Sequence, residues 1–223
     1  MKKLSGFLIV VLFAMLTVAA WGYANRPTSE PALPRVIHGF AFQPYQKDQD
    51  AIAGEDPTSA QIDADLKLLA GTTRAVRTYS SIGTLGEIPA LARKHGLKVM
   101  LGSWIDSDRD RNDREVEAAI RLANTNRNVT RILIGNEVVL RGDLPVEDLI
   151  AHLDRVRAAT KQPVSTAEPW HVWIKHPELV AHVDFITVHM LPYWEGVEVE
   201  AAIGYVVAKL GEVRSAFPGK PIV

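Results

Sequence analysis

The chain has 223 residues, 47% hydrophobic and 23% charged, a balance that excludes a disordered polypeptide and suits one packed domain of ordinary size. Lys and Arg number 25 against 26 Asp and Glu and are scattered along the chain, so there is no clustered basic footprint for nucleic acid. Cysteine is absent, which removes disulfides and thiolate metal sites.

Taken in chain order, the first element is hydrophobic throughout. Lys2 and Lys3 precede an uncharged apolar stretch from Leu4 to Ala24, long enough to span a bilayer as a helix. Residues 1–24 are therefore read as a signal anchor, and membrane is an expected partner. Gly22 and Ala24 keep a cleaved signal peptide open as the alternative. Either reading places the rest outside the cytoplasm, because the positive end stays inside. Asn25 to Pro34, with three prolines, reads as an extended linker, and the folded domain is expected over residues 35–223.

Two signals then alternate. Strands are expected at Val36–Phe42, Ala75–Tyr79, Leu97–Trp104, Arg131–Gly135, Pro163–Thr166 and Val183–His189, from their short apolar or β-branched runs. Helical periods lie between them. Ile62, Leu66 and Leu69 run up to Gly71, and Ile88, Leu91, Ala92 and His95 run up to Gly96, both glycines at C-cap positions. Val116, Ile120 and Ala123 form a third stripe. Leu149, Leu153 and Val156 follow Pro145 at a helix start. Pro177–Ala181 is a weak, short helix and Ala201–Phe217 a long amphipathic one. The alternation predicts an α/β fold with a parallel sheet. The turn after the first strand, His38-Gly39-Phe40-Ala41-Phe42-Gln43, is not a Gly-rich phosphate loop, so a (β/α)8 TIM barrel is preferred to a doubly wound sheet. A barrel predicts chemistry at the C-terminal ends of its strands.

Large aromatics collect there. Trp104, Trp170, Trp173 and Trp194 fall at or just after strand ends, with Phe42, Tyr79 and Tyr193 in equivalent places. Together they predict a lined cleft whose flat faces suit sugar rings. Closing the barrel top is the alternative for any one of them. The strongest short motif is Arg131-Ile-Leu-Ile-Gly-Asn-Glu137, a buried strand that delivers Asn136 and Glu137 to the mouth. A carboxyl beneath aromatic cover is expected to resist ionisation, as a general acid must. A structural ion pair with a rim arginine such as Arg77 is the other reading.

Gly135-Asn136-Glu137 at the end of a fourth strand resembles the acid/base signature of retaining (β/α)8 glycosidases. More narrowly, the chain resembles glycoside hydrolase family 17, the β-1,3-glucanase family, and most of all its bacterial members associated with membrane-linked β-glucan synthesis. The segments that carry this are His38–Tyr45, Val76–Tyr79, Val99–Trp104, Val164–Trp170 and Ile186–Gly196. The resemblance implies a β-1,3-glucan partner, Glu137 as acid/base and Asn136 as an amide contacting a sugar hydroxyl. It implies subsites lined by Tyr79, Trp104, Tyr193 and Trp194, with Trp170 at the same rim. Glu168 is a candidate sugar contact or an ion-pair partner, and Arg77 and His189 are expected to orient carboxylates. No cofactor is implied. A metal site is disfavoured, since His38, His171 and His189 lack obvious carboxylate co-ligands and the first strand has no His-x-His pair. The family's nucleophile closes the seventh strand. Here that strand is expected to begin at Lys220-Pro221-Ile222-Val223, so the barrel is read as incomplete, about six and a half βα units, with the nucleophile beyond it. A non-catalytic, membrane-tethered glucan-binding module, even the outer part of a membrane glycosyltransferase, is the rival reading.

Overall fold

The computed structural model describes residues 2–26, 37–51 and 53–223. Val36 and most of the expected linker, residues 27–34, lie outside the described residues. The chain divides into two compact units, residues 1–35 and 36–223. The first is helix α1 (Lys2–Ala24). Its stretch from Gly6 to Ala24 has a mean hydropathy of 2.2 and is long and apolar enough to cross a membrane.

The second unit is built on six strands: β1 (Phe40–Ala41), β2 (Ala75–Arg77), β3 (Lys98–Ser103), β4 (Val129–Asn136), β5 (Val164–Pro169) and β6 (Thr187–His189). They lie in the order of the sequence, and every pair is parallel. Helices cross between them: α2 (Ser59–Leu69), α3 (Ile88–Lys94), α4 (Arg109–Thr125), α5 (Val138–Arg141), α6 (Val146–Ala159), α7 (Trp170–Lys175) and α8 (Val199–Ala216). This is the arrangement of a (β/α)8 barrel over its first six units. The expected start of a seventh strand pairs where a barrel requires. Ile186 N–H donates to Pro221 O, and Val223 N–H donates to Ile186 O, each at 2.8 Å, beside β6.

The helices form where local chemistry favours them. Thr58 and Gln61 cap α2 reciprocally, side chain to backbone in both directions. Asp108 accepts the Arg111 N–H at 2.9 Å to start α4, and Pro145 caps α6. The periodic residues point inward as expected. Ile62, Leu66, Val116, Ala119, Leu149, Leu153 and Val156 are all solvent-inaccessible and pack on the outer sheet face with Ile132 and Ile134 of β4. The intervening Leu133 points the other way and joins Ala167, Phe185 and Met100 on the inner face. At Gly102 the chains of β2 and β3 come so close that a Cβ would collide with the Thr78 carbonyl.

Three expectations change. The first strand is interrupted, with Ile37 bridging Thr73 alone and pairing resuming only at Phe40. Helix α7 was not foreseen, and it carries Trp173 into the core at 0% exposure, its indole N–H donating to Thr187 O at 3.1 Å. Trp173 is therefore no part of the rim. Helix α8 buries little beyond Val213, and its Val199, Ile203 and Val207 are exposed.

Candidate active site

Alternate strands bring four side chains together. Arg77 ends β2, Asn136 ends β4 with Glu137 directly after it, and His189 ends β6. Arg77 Nη2 donates to Asn136 Oδ1 at 2.6 Å, and Arg77 Nη1 lies 3.2 Å from His189 Nε2. A guanidinium only donates, so Nε2 accepts and the ring proton is assigned to Nδ1. That N–H then donates to Glu137 Oε1 at 2.6 Å. The amide of Asn136, its oxygen taken by Arg77, offers its Nδ2 hydrogens to a ligand. Burial lowers the Arg77 pKa, while the neighbouring Tyr79 and Glu137 raise it.

The backbone at Glu137 is unusual. With φ 58° and ψ 33° it is left-handed, and among the described residues no other non-glycine has positive φ. A side chain in this region costs about 1–2 kcal/mol, a strain that concentrates at functional sites. Two hydrogen bonds and a neighbouring glycine accommodate it. Glu137 N–H donates to Ala167 O at 2.7 Å, its carbonyl accepts from Arg141 N–H at 2.8 Å, and Gly135 at φ 85° makes room for the turn. A Cβ on Gly135 would lie 2.5 Å from a methyl of Val138.

Glu168 corrects an expectation. It is 0% exposed, so in this arrangement it neither reaches a sugar nor pairs with a rim base. Its two oxygens accept the N–H groups of Val139 (2.9 Å) and Leu140 (3.3 Å), the first turn of α5. Burial pushes its pKa up to about 7 against the pull of those two N–H groups, with the Glu137 charge adding to the rise. Arg141 is a residue that the sequence reading missed. It donates to the carbonyls of Asn136 and Ile105, and its guanidinium stacks 4.6 Å above Trp104. The available signal was a cation one short turn after the Asn-Glu pair.

The expected aromatics divide between two cavities. A cavity of about 360 Å³ is lined by Glu137, His171, His189, Trp194 and Glu195. Trp194 and Tyr193 stand out from its rim at 76% and 82% exposure, edge to face at 5.3 Å. Trp170 is turned aside. Its N–H donates to Glu195 at 3.0 Å and Lys209 Nζ covers its ring at 4.0 Å, while Tyr205 O–H donates to the other Glu195 oxygen. Tyr79 and Trp104 line a larger cavity of about 720 Å³ beyond the ends of β1 to β3. Arg77 stacks on Tyr79 of the larger cavity at 4.4 Å and bonds His189 of the smaller one.

A strand-end carboxyl with a histidine donor, an oriented amide and aromatic clefts on either side can exchange a proton with a ligand lying across the mouth. The chain is similar to known proteins in sequence and in fold. The chain is 33% identical over 147 residues to a glucan 1,3-β-glucosidase of Schizosaccharomyces pombe, covering 60% of this chain and 46% of that protein. It is 25% identical over 207 residues to the probable glucan endo-1,3-β-glucosidase btgC of Aspergillus flavus, covering 82% and 30%. The chain thus spans less than half the length of these curated relatives. Among solved structures, a glycoside hydrolase family 17 β-1,3-glucanosyltransferase from Rhizomucor miehei superposes with a TM-score of 0.70 at 27% identity, over 83% of this chain and 68% of that one. An active-site mutant of the Rhizomucor enzyme, in complex with laminaritriose, superposes at 0.71. Residues 39–223 match the BtgE/BtgC glycoside hydrolase domain, and the chain belongs to that family, within glycoside hydrolase family 17.

Proposed function

We propose that this domain is a retaining β-1,3-glucan hydrolase or transglycosylase that works outside the cytoplasm, with Glu137 as its acid/base. The observation that carries the reading is Glu137 itself, a carboxyl set at the strand end by a left-handed backbone and bonded at 2.6 Å to His189. The names of the relatives, and the laminaritriose in the Rhizomucor complex, favour a β-1,3-glucan as the ligand.

In this reading Glu137 gives its proton to the departing glycosidic oxygen, then takes one from the incoming water or sugar hydroxyl. Asn136 Nδ2 donates to a hydroxyl of the sugar at the reacting carbon. Retention requires a second carboxyl about 5 Å away to attack that carbon. We assign it to the end of the barrel's seventh strand, which Pro221–Val223 open. Tyr193 and Trp194 offer stacking faces on one side of the scissile bond, and Tyr79 and Trp104 on the other.

The test uses a form of the domain with all eight barrel strands. Glu137→Gln is expected to lose most turnover on laminarin. It is expected to keep forming the glycosyl-enzyme from a dinitrophenyl β-glucoside, whose leaving group needs no proton. Laminarin cleavage at the parent rate by Glu137→Gln rejects the assignment. Tight laminarin binding without turnover by the parent supports a glucan-binding module instead.

A further inference from the structure

Helix α5 cannot hold its own shape. Its four residues close a single turn, which fixes several backbone angles for very few hydrogen bonds in return. Arg141 N–H reaches back to Glu137 O at 2.8 Å, but the N–H groups before it have no carbonyl one turn earlier within the helix. Glu137, at the N-cap, makes no side-chain bond to them. Nor does the sheet ladder fix the turn, since the register of β4 on β5 is irregular between Leu133 and Asn136.

The missing acceptors come from two successive residues of β5. Ala167 O takes the Glu137 N–H at 2.7 Å, and the two oxygens of Glu168 take the N–H groups of Val139 and Leu140 at 2.9 and 3.3 Å. The backbone is thus tied to one strand at Glu137 and again two and three residues later. An ionised carboxyl suits this task, because it offers two acceptor oxygens and no donor. An amide of the same shape would set its NH2 against one of the two N–H groups. Glu168 is wholly buried, so it touches no ligand, and burial raises its pKa to about 7. An apolar side chain would fill the same place without the cost of burying a charge. It would also leave the turn beside Glu137 unheld, and a left-handed residue persists only where its surroundings over-determine it.

We propose that Glu168 is a positioning residue for the acid/base, holding the first turn of α5 so that the Glu137 carboxyl stays aimed at the glycosidic oxygen. This rests on the acid/base reading of Glu137 and deepens it by naming the group that sets its aim.

The test compares Glu168→Gln, Glu137→Gln and the double variant in the eight-stranded form of the domain. For Glu168→Gln, kcat on laminarin is expected to fall about a hundredfold with KM little changed, the signature of a misplaced reacting group. The first-turnover burst from a dinitrophenyl β-glucoside, which needs no proton from Glu137, is expected at the parent rate. The double variant is expected to be no slower on laminarin than Glu137→Gln alone, because both changes act through one carboxyl. Parent-like laminarin turnover in Glu168→Gln overturns the proposal. So does a burst that falls as far as kcat, which would make the role a general structural one, and so does a further loss in the double variant. Each of these outcomes leaves the acid/base reading standing if Glu137→Gln itself is slow on laminarin. Parent-like turnover by Glu137→Gln overturns that reading, and this proposal with it.

Discussion

Glu168 places a carboxyl where water does not reach, and Glu115 does the same on α4, where it accepts from Ser80 Oγ and from the Ser81 N–H at 2.7 Å. Burial pushes each up to about 7. In the unfolded chain a glutamate titrates near ~4.3, so between those two pH values the native state holds more protons than the unfolded one. Stability from these groups is fully present below the lower value and is lost as pH rises through about 7. Each contributes on the order of 3 kcal/mol across that window. Thermal unfolding from pH 5 to 8 is expected to show a falling melting temperature, with a shallower fall in Glu168→Gln. An equal slope in the variant would show that Glu168 has no part in it. The backbone at Glu137 gives a second prediction at this scale. Removing the side chain while relieving the left-handed strain separates two effects, so Glu137→Gly is expected to be more stable than Glu137→Ala by about 1 kcal/mol. Urea unfolding midpoints measure the difference, and equal midpoints would refute a strained turn. Glu137 was legible in the sequence, because an apolar strand ending in Asn-Glu puts a carboxyl at a barrel mouth. Its clamp was not. A glutamate on β5 reads the same whether it bonds a ligand or the amides of a helix 28 or more residues earlier.

Among the helices, α2, α4 and α6 were legible from their apolar period and the short α7 was not. The stripes of α2, α4 and α6 repeat over three or more turns and mark the buried face directly. Helix α7 has only six residues, too few to establish a period, so its tryptophans were grouped with the rim. Trp173 lies within the core, and Trp170 is engaged by Glu195 and Lys209 and lines neither cavity. Helix α1 carries its own prediction. At ~1.5 Å per residue it is long enough for the hydrocarbon core. Trp21 and Tyr23 sit near the end away from Lys2 and Lys3, the placement of an interfacial belt, with Arg26 stacked 4.3 Å over Tyr23. We propose an uncleaved anchor, and the protein is expected to stay with membranes through alkaline carbonate extraction. A mature form beginning near Asn25 in the soluble fraction would instead identify a cleaved signal peptide.

For the whole molecule, strand order was legible because each periodic helix separates two short strands, and right-handed parallel crossovers then leave few alternatives. What the sequence could not disclose is which rim residues meet. Arg77, Asn136 and His189 are up to 112 positions apart, and only the closing curvature of the sheet sets them within hydrogen-bonding distance. The same curvature separates aromatics that look equivalent along the chain. It leaves Tyr79 and Trp104 in one cavity and Trp194 in another.

The sequential order of the strands also shapes how this fold is made. Each strand pairs with the one synthesised just before it, so an emerging chain can add βα units one at a time without waiting for distant partners. The sheet can therefore grow while translation proceeds. The histidine that bonds Glu137 is on β6, the last of the six strands to emerge. An unfinished chain thus holds Glu137 in a scaffold already pinned by β5 but without its hydrogen-bonding neighbour until β6 is made.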